Sequence, residues 1–399
     1  MVDDEVYGSH KLQKNETHHP PKDTTLQPIQ ISPMVLRKIS LINFKNIDQA
    51  ELELSSKLNC FVGKNGMGKT NLLDAIHYLS FCRSMFSQTN QHVIRHGQDA
   101  MMVQGIYETH EKETINIYCG LKNGRRKTFK KNGKEYKKIS DHIGLIPLVI
   151  ISPDDSELIR GASEFRRKFM DMTISQYSPL YLNQLIKYNQ VLQQRNALLK
   201  SCTPPDENIL TAYDHLLSDA AKEIHKERKN FTVKIISIFK DIYRLLGNED
   251  EDVNLIYRSH LETEDLFTTL QSQHLKDSIV GHTLHGTHRD DLEMTLNGHA
   301  LRYEASQGQA KSCLIALRFA QYLFLKDTIG HRTPILLLDD IFDKLDAERV
   351  NKIIRIVSSE RFGQIFITST NRENLEQVIG QSANDYTFFI VNNGKYETC

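Results

Sequence analysis

The sequence predicts an α/β fold whose two halves are separated by an inserted helical lobe, and three features of the chain point to it. The first is Gly63-Lys64-Asn65-Gly66-Met67-Gly68-Lys69-Thr70, a glycine-rich turn between an apolar run, Leu58 to Val62, and a helical pattern from Asn71 to Leu79. The second is Ile335 to Leu338, a fully apolar run that ends in Asp339 and Asp340. The third is the stretch between them, where apolar residues recur at helical spacing.

Residues 1–33 are polar, rich in Lys, His, Asp and Pro, and lack apolar periodicity, so a disordered extension is expected there, with Met34 as the structural start. Leu36, Ile39, Leu41 and Phe44 then open the first half of the α/β unit, 34–152, with a strand pattern. In the glycine-rich turn, several backbone N–H groups can converge on phosphate oxygens, and the helix start adds its partial positive charge. Gly63, Lys64, Asn65, Gly66, Met67 and Gly68 would form the cradle, Lys69 would reach the β and γ phosphates of a nucleotide, and the Thr70 hydroxyl would ligate Mg²⁺.

Thr114 to Leu121 reads as a strand, and the Asn123-Gly124 and Asn132-Gly133 pairs are hairpin turn signals, so a small antiparallel meander is expected. Between Lys122 and Lys138 it carries nine basic residues against one acid, Glu135. Lys122, Arg125, Arg126, Lys127, Lys130 and Lys131, with Phe129 and Tyr136 interleaved, suit a DNA phosphate backbone. The same lysines suit a solvated edge hairpin that resists aggregation, so both uses stay open at this stage.

After the apolar strand Ile146 to Ile151, residues 153–278 form the helical lobe. Leu210, Leu217, Ala220, Ile224, Phe231, Ile235, Ile238, Ile242 and Leu245 make the stripe of a long helix ending at Gly247, and Pro204-Pro205 separates it from an earlier helix through Leu182 and Leu198. An intramolecular helical hairpin is the expectation.

The α/β unit resumes over 279–399, with a helix from Ser312 to Asp327, the strand at 335–338, a helix from Asp346 and a strand at Ile365 to Ile367. A strand apolar throughout is one buried on both faces of a parallel sheet, and its carboxyl end lies where such sheets bind ligands. Asp339 would hold Mg²⁺ through water and Asp340 would orient the attacking water, the arrangement known as Walker B. Ser306-Gln307-Gly308-Gln309 precedes a helix start, a second anion site that would grip the γ phosphate from another protomer. His282, His285 and His288 are spaced by three, but Gly281 and Gly286 interrupt the helix that a zinc triad would need.

These motifs in combination, with Leu345-Asp346 after the carboxylates, resemble ATPases of the SMC and ABC type. Asn43-Phe44-Lys45-Asn46, Arg95-His96-Gly97, Ser152-Pro153-Asp154-Asp155, Arg166-Arg167, Gln193 to Asn196, Gly286 to Asp291 and Ser306 to Gln309 narrow the resemblance to the RecF family of bacterial repair ATPases. The resemblance implies an SMC/ABC-type P-loop ATPase head with a short helical lobe and an ATP-dependent homodimer. In it Ser306, Gly308, Gln309 and Asp346 help to bind ATP beside the phosphate loop. It also implies binding to single-stranded, gapped and double-stranded DNA, a weak DNA-stimulated ATPase, cooperation with RecR and RecO, and a role in placing RecA and in SOS induction. Asp340 stands where transporters place Glu, a shorter reach suited to slow hydrolysis, and Thr368-Ser369-Thr370 replaces their switch histidine.

Composition bounds the alternatives. Lys plus Arg and Asp plus Glu are 50 each, so a nucleic-acid surface must be a local patch. Six scattered cysteines without a C-x-x-C pair, and no apolar run of membrane-spanning length, lead to an expected cytoplasmic location. A transporter ATPase subunit would place its signature nearer the phosphate loop. A nuclease-coupled P-loop ATPase would need an acidic catalytic domain after Walker B.

Overall fold

The computed structural model describes residues 34–86, 90–109, 111–201, 206–247, 250–330, 332–342, 347–379 and 385–399. The expected tail at 1–33, Pro204-Pro205 and Asp346 lie outside the described residues.

In chain order, the first half holds β1 (Val35–Phe44), β2 (Ile47–Glu53), β3 (Leu58–Val62), α1 (Lys69–Phe81), β4 (Ala100–Glu108), β5 (Thr114–Lys122), β6 (Thr128–Lys131), β7 (Lys134–Glu135) and β8 (Leu148–Ile151). The middle holds α2 (Glu157–Arg160), α3 (Ser163–Ile174), α4 (Pro179–Leu199), α5 (Glu207–Leu245), β9 (Val253–Arg258), α6 (Leu266–Ser272) and α7 (His274–Val280). The last part holds β10 (Asp291–Leu296), β11 (His299–Ala300), α8 (Leu301–Glu304), α9 (Gln307–Ile329), β12 (Ile335–Asp339), α10 (Ala347–Ser358), β13 (Ile365–Ser369), α11 (Arg372–Ile379), β14 (Tyr386–Asn392) and β15 (Lys395–Thr398).

The central sheet runs β15-β14-β3-β13-β12-β8, parallel except for β15. Alternation along β12 explains its unbroken apolar sequence: Leu336 and Leu338 face a core shared with α5, α9 and α10, while Ile335 and Leu337 face α1 and a second sheet. That second sheet, β2-β1-β4-β5-β6-β7, is antiparallel. The expected meander forms its far end. Its strands alternate buried and partly exposed residues, as a sheet with one covered face must.

The lobe holds more than the expected helices. The α5 helix has 39 residues and packs along the 21-residue α4 as the expected hairpin. The predicted helical span also contains β9, which joins β10 and β11 in a small sheet. Buried ion pairs lock these parts together. Arg195 of α4 reaches Asp214 and Asp277 at 2.8 and 2.7 Å, and Arg228 of α5 reaches Asp171 and Asp290 at 2.8 and 2.7 Å.

Candidate functional site

Parallel register brings the carboxyl ends of four strands together. Asp339 stands opposite Thr368, Ser369 opposite Val62, and Leu338 opposite Ile151. The glycine-rich loop leaves β3 at this edge, and Gly63 N–H donates to Ser369 O at 3.2 Å. Glycine is required at 63, because an added Cβ would lie 2.4 Å from Val391 O. Gly66 and Gly68 have φ of 79° and 110°. Gly68 is the left-handed N-cap of α1 and provides no side-chain cap, so the first N–H groups of the helix keep their capacity for an anion.

The Lys69 ammonium folds back on the loop, donating to Gly63 O and Lys64 O at 2.6 and 3.0 Å. Burial pushes its pKa down, and Asp340 and Asp339 pull it back up. The next residue, Thr70, donates Oγ1 to Asp339 Oδ1 at 3.0 Å, and Thr368 Oγ1 donates to the same oxygen at 2.7 Å. Burial raises the Asp339 pKa, and the hydroxyls of Thr368 and Thr70 oppose the rise. Thr70 and Asp339 supply two hard oxygens, which fits Mg²⁺ with phosphate and water completing its shell. Among the described residues no cluster of three His, Cys, Asp or Glu could hold a metal ion.

Asp340 follows with φ of 48°, its N–H donating to Thr368 Oγ1 at 2.9 Å. With Ser152, Gln307, Lys311 and Ile341 it lines a cavity of about 270 Å³.

Several residues that support this site have no role assigned in the sequence, Asn46 standing there only within the Asn43 to Asn46 stretch that carries the resemblance. Asn46 receives Asn71 Nδ2 on its Oδ1 at 2.7 Å and donates to Gly66 O at 3.4 Å. Tyr396 OH donates to Gly68 O at 3.0 Å, and Gly394 N–H to Met67 O at 2.8 Å. Thr368, which in the sequence marks only the place of a missing switch histidine, bonds both Asp339 Oδ1 and Asp340 N–H. No local spacing signals these contacts, since Tyr396 lies 328 residues from Gly68.

The Ser306 segment stands apart. The helix it caps starts at Gln307, earlier than the expected Ser312, because Ser306 and Gln309 complete a capping box: Ser306 Oγ accepts from Gln309 N–H at 3.2 Å, and Gln309 Oε1 accepts from Ser306 N–H at 2.9 Å. Gln309 Nε2 also donates to Glu251 at 2.6 Å, and a Cβ on Gly308 would meet Arg349 Nη1 at 3.1 Å. Ser306 is exposed, and among the described residues no hydrogen bond ties it to the phosphate loop.

The basic residues also divide. Lys122, Arg125 and Arg126 are exposed, while Lys130 and Lys131 are half-buried, with Lys130 5.9 Å from the Tyr118 ring centroid. Lys127 leaves the surface set: its ammonium donates to Cys82 O beside the Tyr78 ring. Of the three histidines, His288 is held by Tyr188 OH at 2.8 Å and Thr283 O at 3.0 Å.

The family model described as the RecF/RecN/SMC N terminal domain matches residues 35–394. A DNA replication and repair protein RecF from Phocaeicola vulgatus is 48% identical over 362 residues, covering 91% of this chain and 98% of that protein. The protein of the same name from Porphyromonas gingivalis ATCC 33277 is 44% identical over 363 residues, covering 91% and 99%. A solved structure of the recombination mediator protein RecF with ATP, from the RecFOR pathway, matches with a TM-score of 0.82 and 28% identity over 92% of this chain and 98% of that one. The Smc head domain of Pyrococcus furiosus shares the fold at a TM-score of 0.56 and 17% identity, over 92% of this chain and 96% of that one. No described helix is long and apolar enough to cross a membrane. On this extent of identity and shared architecture, the chain belongs to the RecF family.

Proposed function

We propose that the protein is an ATP-dependent DNA-binding protein of recombinational repair, in which two heads close on nucleotide while bound to DNA and a weak DNA-stimulated hydrolysis releases them. The observation that carries this is the convergence of Thr70 and Thr368 on Asp339 beside the uncapped start of α1. The ATP-bound RecF relative supports ATP as the nucleotide. In this scheme Lys69 exchanges its loop carbonyls for the β and γ phosphate oxygens. Asp340 orients the attacking water, with the reach of Asp rather than Glu keeping turnover slow. Mg²⁺ between Thr70 and Asp339 would neutralise phosphate charge.

Ser306 is the part of the site that one chain leaves open. Exposed at the start of α9, it would meet the γ phosphate bound by a second copy, beside Gly308 and Gln309, and Asp346 is assigned to the same nucleotide site by the family resemblance alone. The exposed basic residues Lys122, Arg125 and Arg126, with Lys130 and Lys131 beside them, would follow the backbone of single-stranded, gapped or linear double-stranded DNA. The proposal extends to work with RecR and RecO, which the RecFOR pathway of the RecF relative supports, and to placement of RecA, SOS induction and a cytoplasmic location.

Sedimentation velocity tests the composite site. Wild type should dimerise when ATP is added, and Ser306→Arg should bind ATP with unchanged affinity yet stay monomeric. A Ser306→Arg variant that still dimerises with ATP would remove the two-chain site.

A further inference from the structure

Arg125, Arg126 and Lys127 are consecutive, yet the fold sends the third in a different direction from the first two. Arg125 and Arg126 are exposed in the loop between β5 and β6. Lys127 turns inward, donates to the Cys82 carbonyl and lies 5.1 Å from the Tyr78 ring centroid. Cys82 is the C-cap of α1, with φ of 56° and its N–H donating to Tyr78 O at 2.9 Å. The last turn of α1 contains no basic residue of its own, so the Lys127 ammonium is a cation borrowed from another element and set at the negative end of the helix dipole. The opposite end of the same helix is the start of the nucleotide cradle. At 13 residues, α1 spans about 20 Å between the two.

Further contacts fasten the meander to the same helix. His142, just after β7, hydrogen-bonds Leu79 O at 2.7 Å through Nε2 and Tyr136 OH at 3.0 Å through Nδ1, and its ring packs 4.7 Å from Phe129. A displacement of the β5–β6 loop therefore has a packed route into the carboxyl end of α1, and Lys127 is the residue that joins the loop directly to the helix cap.

We propose that Lys127 is a positioning residue that couples DNA binding at Arg125 and Arg126 to the ATP site. A phosphate backbone held by the two arginines shifts the loop. Lys127 transmits the shift to Cys82, and α1 carries it as a rigid body to Lys69, Thr70 and the N–H groups of its first turn. This coupling rests on the proposed DNA surface and ATP site, and it assigns Lys127 to their communication rather than to DNA contact.

The test compares Lys127→Met, Lys127→Arg and the double variant Arg125→Ala/Arg126→Ala. Each is measured for affinity to a duplex of about 30 base pairs and for the ratio of ATP turnover with saturating duplex to turnover without it. The double variant should lose roughly tenfold in duplex affinity, with a shallower salt dependence. Lys127→Met should keep duplex affinity within about twofold while its ratio falls towards one, and Lys127→Arg, which retains a cation able to reach the carbonyl, should restore most of the ratio. If Lys127→Met melts early, Lys127→Gln keeps a donor for Cys82 O without the charge and should also lower the ratio. A full ratio in Lys127→Met or Lys127→Gln overturns the coupling and leaves the DNA surface standing, as does a wild-type ratio of one. Unchanged duplex affinity in the double variant overturns the DNA surface itself.

Discussion

Asp339 is the residue on which the site turns, and its environment pulls it two ways. Burial favours the neutral acid, whereas Thr70 and Thr368 donate to the anion. Because the pKa is raised, the anion that would hold Mg²⁺ is lost as pH falls through that raised value, earlier than for a free Asp. Thr368→Val removes one opposing donor, so the acid limb of Mg²⁺-dependent ATP binding should move to higher pH; an unmoved limb would deny Thr368 this role. Three buried imidazoles set a separate dependence. Burial pushes His77, His142 and His288 down to about 4 from an ordinary value of 6.5. Below 6.5 the unfolded chain takes up protons that the folded one refuses, so stability should be flat above about pH 7 and fall from there towards pH 4. Thermal melts that stay level from pH 7 to 5 would contradict this. At this scale the sequence displayed the phosphate loop and Walker B, whose chemistry is written in consecutive residues. It did not display the contacts of Asn46 and Tyr396 or the inward turn of Lys127, because those depend on which strands become neighbours.

The long lobe helices were legible as elements because their apolar stripes persist over many turns, whereas β9 was hidden inside a helical stretch by its shortness. What the stripe on α5 does not reveal is the charge buried within it. Arg228 donates to Asp290 Oδ2 and Thr287 O through Nη1 and to Asp171 Oδ1 through Nη2, tying α5 to α3 and to the segment before β10. Arg228→Met fits the space but leaves the buried Asp290 without its cation. The expected loss is about 3–5 kcal/mol, since removing one partner strands the other in low dielectric. Urea unfolding with an unchanged m-value would measure it, and a loss below about 1 kcal/mol would mean that the pair is dispensable. Arg195, fully buried between Asp214 and Asp277, makes a corresponding joint among α4, α5 and α7.

Across the whole molecule, the nucleotide cradle is assembled from both ends of the described chain. The strand that carries the phosphate loop, β3, pairs among the described residues with β13 and β14, and the turn after β14 presses against the loop from behind. Gly394 sits in that turn with φ of 76°, and an added Cβ would lie 2.9 Å from Asn46 O. Gly394→Ala should therefore disturb Asn46 and Met67 together, lowering ATP affinity roughly tenfold along with a fall in melting temperature of several degrees. Isothermal titration with ATP checks it, and native affinity would mean that the turn carries no strain to the cradle. The discontinuity of the α/β unit was legible, because its two halves bear different signature motifs. The strand order was not, because nothing local in β3 names its partners. That order also bears on the birth of the protein. On the ribosome, β3 emerges with its glycine-rich turn and then waits about three hundred residues, on the order of tens of seconds at bacterial elongation rates, before either neighbouring strand exists. A nascent chain thus exposes its glycine-rich turn on a strand that still lacks both sheet neighbours, and the edge that holds the turn forms only after β13 and β14 have followed.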